Sequence, residues 1–280
     1  MSAAGFAVKR RALWRPDALQ LLRERPCAYY ASRAVPDTAG GWRIRFPQVK
    51  ATLGLRVTVR SELLPGRPLI ELLYQPELQE LAIDAGLAVL HALEQADIRS
   101  FPVAGFSAWY DRLRLPAVAL AELGRGSLLT TGQRRAFNRL VSDYIAHRRG
   151  PRVLVHGDLQ ATHLLIDTAA HAMGIIDLEA MREGKAATNF AQLWEAYYFA
   201  DPSLGLRFYT AYRRAAAATL GDRFDADVRA ELALRCYSHI RAGRRTGNDL
   251  MIDLSRSLLT RILDGATFEE ISLGNTTNRS

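Results

Sequence analysis

Val153-Leu154-Val155-His156-Gly157-Asp158-Leu159-Gln160-Ala161-Thr162-His163-Leu164-Leu165-Ile166, followed by Gly174-Ile175-Ile176-Asp177-Leu178-Glu179, is the stretch that decides the fold. Short apolar runs flank a polar turn, and an aspartate stands at the end of the first run and of the return run. A short apolar run ending in a carboxylate reads as a buried strand that presents the acid at its exposed end. The order is strand, His-Gly-Asp turn, strand, hairpin return, Asp177. That order predicts Asp158, His163 and Asp177 at one mouth. Two acids and a polar ligand so placed suit metal-assisted phosphoryl transfer, in which one acid orients a hydroxyl nucleophile and the others hold Mg²⁺ against nucleotide phosphates.

Length and composition set the frame. A chain of 280 residues can bury a substantial core in one large domain or two lobes. At 49% hydrophobic and 24% charged residues it reads as folded rather than disordered. The net charge is +8, carried almost wholly by arginine, with Lys9, Lys50 and Lys185 the only lysines. Such a surface fits either an arginine-rich coding bias or attraction for phosphate-bearing partners, ATP included. Cys27 and Cys236 lie far apart in no metal-type spacing, which predicts a reducing, cytoplasmic setting. No apolar run reaches membrane-spanning length, and no nucleic-acid-binding module is visible.

His156-Gly157-Asp158-Leu159-x-x-x-His163 resembles the catalytic loop of protein-kinase-like enzymes. Its His-Gly-Asp form is similar to that of the aminoglycoside phosphotransferase and choline kinase family, and Ile175-Ile176-Asp177-Leu178-Glu179 resembles that family's second metal motif. The resemblance runs from about Leu63 to about Tyr212. His163 departs from the pattern, standing where most members carry Asn; some macrolide phosphotransferases and lipopolysaccharide-core kinases are similar in having His there. The resemblance implies an α+β, two-lobed protein-kinase-like fold, with a small, reduced sheet-rich N-lobe and a larger, mostly helical C-lobe. It divides the chain into a nucleotide-binding lobe at 1–64, a hinge at 65–69 and a catalytic and substrate lobe at 70–268; the polar tail at 269–280 is expected to fray. It also implies ATP or GTP, Mg²⁺ and a small hydroxyl-bearing acceptor.

Roles follow residue by residue. Asp158 accepts and orients the substrate hydroxyl. Asp177 is the main Mg²⁺ ligand, because that hard ion takes carboxylate oxygens, water and phosphate. Glu179 stands as a second carboxylate or a solvated acid. His163 offers nitrogen, which suits Zn, Mn or Fe better than Mg²⁺, so it ligates weakly, holds a water or touches a phosphate. His156 buttresses the loop by bonding backbone near Asp177. No G-x-G-x-x-G covers the phosphates. Phe6-Ala7-Val8-Lys9 resembles the family's strand lysine, with Glu24 on the next helix as its partner; Lys50, or Arg43 and Arg45, are the alternatives.

Along the chain, a strand is expected over 5–11, then a helix opened by Pro16-Asp17 and stopped by Pro26. Weak alternation over 28–35, a turn at Gly40-Gly41 and strands over 42–51 and 55–63 joined at Gly54 come next. Helices are expected over 77–96, 109–123, from Thr130 or Thr131 to about His147, and over 189–199, 203–220, 225–241 and 249–263. Three functions remain open on this reading. One is phosphotransfer from ATP to an antibiotic, sugar or amino alcohol. The second is a catalytically impaired, nucleotide- or partner-binding relative. The third is a lipopolysaccharide-core or sugar kinase.

Overall fold

Arg56–Glu62 (β5) alternates strictly, turning Val57, Val59 and Ser61 inward and Arg56 and Arg60 outward. That is the signature of a strand with one buried face. It is the centre of a three-stranded antiparallel sheet, β1-β5-β4, between Phe6–Ala12 (β1) and Val49–Leu53 (β4). In this computed structural model the described residues are 6–12, 21–53, 56–100, 129–147, 152–216 and 221–273. The chain divides into two compact units, residues 1–104 with 152–189 and residues 105–151 with 190–280. Contacts therefore group the motif strands with the N-terminal 104 residues, a different cut from one made at 65–69.

In the first unit, Val57, Val59 and Leu21 form a small core under Leu22, Val49 and Ala51. The helix Glu24–Ala34 (α1) runs where a stop at Pro26 and an alternating segment were expected. Pro26 is the third residue of the helix, in the first turn, whose N–H groups have no intrahelical acceptor, so its missing N–H costs nothing there. Cys27, Ala28 and Ala31 make the buried stripe. The expected strand over 42–51 is two strands in two sheets. Trp42–Arg45 (β3) pairs in parallel with Ala172–Ile175 (β9), whereas β4 pairs with β5. Pro47, which cannot donate to a ladder, stands where the chain changes sheets.

The motif region is a five-stranded sheet in the order β2-β3-β9-β8-β6, where β2 is Thr38–Ala39, β6 is Arg67–Pro68 and β8 is Leu164–Asp167. β8 and β9 form the expected hairpin, with Leu164 opposite Ile175. Val153–Val155 (β7) pairs instead with Arg182–Gly184 (β10). At 65–69 the backbone turns through Gly66 at φ +121°, where a Cβ would lie 2.7 Å from the Ile166 carbonyl carbon, before β6 pairs with β8 and Leu69–Leu73 (α2) begins. Gln79–Glu94 (α3) follows a 3-10 turn at Pro76–Leu78 and buries Ala82, Val89, Leu90 and Leu93.

The second unit is helical. Thr131–Ala146 (α4) opens with a reciprocal capping box between Thr130 and Gln133. Ala186–Ala200 (α5), which begins in the first unit, continues into Pro202–Ala215 (α6), capped by Asp201. Phe224–Thr246 (α7) and Asp249–Leu263 (α8) form a hairpin about Gly247, which closes the α7 C-terminus in the left-handed region. Phe268–Leu273 (α9) is a helix where a frayed tail from 269 was expected. Thr267 and Glu270 explain it: the Glu270 N–H donates to Thr267 Oγ1 at 3.1 Å, and the Thr267 N–H donates to Glu270 Oε2 at 2.6 Å. The helix expected at 109–123, the Gly54 turn and the Pro16-Asp17 start lie outside the described residues. Both cysteines are free and buried. Among the described residues no helix is long and apolar enough to cross a membrane.

The second unit's core is aromatic. Phe208 is fully buried between Tyr197, whose ring centroid is 4.1 Å away, and Phe190, at 5.7 Å, with both ring pairs nearly parallel. Phe208→Ala should therefore cost about 3–5 kcal/mol in urea unfolding. A loss below about 1 kcal/mol would show that this stack does not carry the helical core.

Candidate active site

The His-Gly-Asp turn is held rigidly from behind. His156 is fully buried; its Nε2–H donates to the Ile176 carbonyl at 2.8 Å, and its Nδ1 accepts the Asp158 N–H at 3.3 Å. The His156 backbone N–H donates to Asn189 Oδ1 at 3.0 Å, and Asn189 Nδ2 donates to the Leu154 carbonyl at 2.8 Å. Asn189, in the first turn of α5, thus fixes the end of β7. Gly157 sits at φ +87°, and a Cβ there would lie 2.2 Å from the Ala180 carbonyl oxygen, so only glycine fits. Ile176 N–H donates to the His163 carbonyl at 3.0 Å, which extends the hairpin ladder up to Asp177.

Asp158, His163 and Asp177 meet at the open end, with one donor atom from each lying within 4.8 Å of the others. Asp158 Oδ1 accepts from Gln160 Nε2 at 2.8 Å. The Asp158 carbonyl accepts from His163 Nδ1 at 2.8 Å, and His163 Nε2 faces Asp177 Oδ2 at 3.3 Å. Asp177 has φ 65° and ψ 51°, a left-handed conformation that costs a non-glycine residue on the order of 1–2 kcal/mol. Outliers of this kind cluster at functional sites.

Lys9 closes the other side. Its ammonium donates to Glu24 Oε2 at 3.0 Å, to Glu179 Oε2 at 2.8 Å and to Asp177 Oδ1, using all three of its protons. Glu24 is buried, and its second oxygen accepts from Ser61 Oγ at 2.8 Å. Glu24, Asp177 and Glu179 form a second set of oxygens close enough to share a cation. Burial alone would lower the Lys9 ammonium, but its bonds to Asp177 and Glu179 and the charge of Glu24 outweigh that and raise it. Burial would raise Asp177, yet its bonds to Lys9 and Glu179 pull it down. Burial and the neighbouring Asp177 push Glu179 up to about 7, against the pull of Lys9.

The other cations named from the sequence stand elsewhere. Lys50 is exposed on β4 opposite Arg60, and Arg45 is half-buried at the end of β3 beside Gly174. Neither bonds to the carboxylate cluster among the described residues. Arg43 donates to the Ala170 carbonyl at 3.4 Å. Gln160, Asn189 and Ser61 were not named from the sequence, yet they orient Asp158, the turn and Glu24. The one local signal was a lone Asn between apolar stretches at the start of α5.

His156 gives the site a measurable pH signature. Burial holds its ring down to about 4, with the Ile176 bond opposing, against 6.5 for the exposed group. Below pH 6.5 the unfolded chain takes up a proton that the folded ring refuses. Stability from this group is therefore complete above 6.5, falls as pH drops towards 4, and changes no further below it. Urea unfolding of the wild type should lose roughly 3 kcal/mol more than His156→Gln between pH 7 and 4. Parallel pH profiles for the two proteins would contradict a buried neutral His156.

Compared by sequence with curated proteins, the chain has no match. Its fold does match solved structures. Aminoglycoside phosphotransferase APH(4)-Ia matches with a TM-score of 0.69 at 14% identity, over 95% of this chain and 88% of that one. APH(2")-IIia, solved with GDP and kanamycin, matches with a TM-score of 0.64 at 18% identity, over 91% and 86%. An aminoglycoside-3'-phosphotransferase of type VIII matches with a TM-score of 0.55 at 20% identity, over 81% and 83%. The fold is thus the α+β protein-kinase-like one, with a small sheet-rich N-terminal part and a larger helical C-terminal part, as the motifs implied. The phosphotransferase enzyme family model, APH, matches residues 16–232, and the chain belongs to that family of phosphotransferases.

Proposed function

We propose that the protein transfers the γ-phosphate of ATP or GTP to a hydroxyl of a small molecule. The observation that carries this reading is the convergence of Asp158, His163 and Asp177, with Lys9 and its partner Glu24 against the far oxygen of Asp177. Solved relatives in complex with ADP or AMP-PNP and hygromycin B, and with GDP and kanamycin, support a nucleotide donor and a hydroxyl-rich acceptor.

Asp158 Oδ2 is the base that orients the acceptor O–H, since Oδ1 is engaged by Gln160. The acceptor oxygen forms a bond to the γ-phosphorus as the bond from that phosphorus to the β,γ-bridging oxygen breaks. The diphosphate leaves, and the hydroxyl proton passes late to Asp158. Lys9 keeps Glu24 and Asp177 and turns its third proton, now on Glu179, to the phosphates. The segment 65–69 is the hinge that meets the adenine or guanine ring. Asp177, with His163 and Glu179, would hold a divalent cation, for which the oxygen-rich donor set fits; the ion supplies charge neutralisation to the phosphates.

Radiolabelled transfer from ATP and GTP to a panel of aminoglycosides, macrolides, sugars and amino alcohols tests this. Asp158→Asn should lower kcat about 10²–10⁴-fold with nucleotide affinity kept. Asp177→Asn, which tolerates the left-handed backbone, should also weaken metal–nucleotide binding. Wild-type rates in both variants would overturn the assignment.

A further inference from the structure

We infer that His163 shifts the nucleotide cation of this protein from Mg²⁺ to Mn²⁺; the inference rests on the proposed function and concerns the same pocket. It begins with the imidazole tautomer. A carbonyl can only accept, so the 2.8 Å bond to the Asp158 carbonyl places a proton on His163 Nδ1. The other ring nitrogen, Nε2, is turned to Asp177 Oδ2 at 3.3 Å, placed to ligate a metal in exchange for any proton it carries. His163 Nε2 and Asp177 Oδ2 are thus close enough to enter the coordination of one cation.

The two oxygens of Asp177 are divided. Oδ1 belongs to Lys9, which leaves Oδ2 for the ion. Asp158 is divided likewise, Oδ1 to Gln160 and Oδ2 turned towards His163, 4.0 Å from its Nδ1. Asp158 Oδ2 stays with the acceptor hydroxyl, so the protein offers the cation the His163 imidazole nitrogen and Asp177 Oδ2, with the Glu179 carboxylate near Asp177. The His163 side chain is 16% exposed and backed by a backbone bond that sets its tautomer and orientation, the usual arrangement behind a metal-bound histidine.

This donor set discriminates. Mg²⁺ is hard, demands oxygen donors and gives up its water reluctantly. Mn²⁺ accepts the same octahedral oxygens and phosphates, but also takes imidazole nitrogen. Zn²⁺ and Cu²⁺ bind imidazole more tightly but fit less well the oxygen-rich remainder supplied by carboxylates, water and phosphate.

Electron paramagnetic resonance on the full chain with AMP-PNP tests this without turnover. Mn²⁺ is titrated against Mg²⁺ into the wild type and His163→Asn, with protein carrying ¹⁵N-labelled histidine as the control. The expected wild-type result is directly coordinated histidine nitrogen in the spin-echo modulation, altered by the ¹⁵N label and lost in the variant. The Mn²⁺-to-Mg²⁺ affinity ratio should fall on the order of tenfold in His163→Asn. His163→Gln, also an oxygen donor, should behave as Asn does, and thermal unfolding checks that both variants fold. Mn²⁺ bound with nucleotide but showing no histidine nitrogen, or an unchanged ratio in both variants, overturns the inference and leaves the proposed function standing. Failure of either cation to strengthen nucleotide binding in the wild type overturns both.

Discussion

The carboxylate of Asp177 is the constraint on which the site depends. It sits at the end of β9 in a left-handed conformation, with one oxygen on Lys9 and the other facing His163. Neither neighbour is local to it. Lys9 comes from the first described strand, and His163 from the turn before β8. The hairpin ladder from Leu164–Ile175 to the Ile176–His163 bond brings one of them into place, and the antiparallel β1–β5 pairing, with Lys9 opposite Val59, brings the other. The strain in Asp177 persists because these contacts over-determine its position.

Charge balance in this cluster follows from donor counting. Three carboxylates around one ammonium leave an excess of negative charge in a half-buried place. Lys9 bonds to all three, Asp177 stays ionised, and Glu179 takes up a proton near neutrality. A cation on Asp177 Oδ2 would relieve the same excess from the other side. The bonds from His156 to Ile176 and to Asn189 are of a different kind. They are buried, neutral and fully directed, so they fix geometry and carry no charge to the reacting groups.

Much of this was legible in the sequence because it is local. The apolar runs around His156-Gly157-Asp158 and before Asp177 fix strand ends, and strand ends fix where the acids point. The pairing of Lys9 with Glu24 could be proposed because a strand and the helix after it are neighbours in space. What escaped depended on partners far away in the chain. Pro26 read as a stop because its place in the first turn of α1 is visible only once the helix start is known. The strand at Trp42 read as continuous through Pro47 because nothing local says that β3 pairs with β9 and β4 with β5. Asn189 read as an ordinary helical residue because its two acceptor and donor partners, His156 and Leu154, lie more than thirty positions earlier. The choice among Lys9, Lys50 and Arg45 stayed open for the same reason, since it turns on which strand faces Asp177.

On the proposed function, Asp177 is shared between a strand lysine and a divalent cation on the nucleotide. A crystal structure of the protein with AMP-PNP and Mn²⁺, using the anomalous signal of the ion, tests it most directly. The ion is expected on Asp177 Oδ2, with the triphosphate within reach of a Lys9 still paired with Glu24. Nucleotide phosphates bound away from Asp177, or an ion with no contact to it, would rule out this sharing of Asp177.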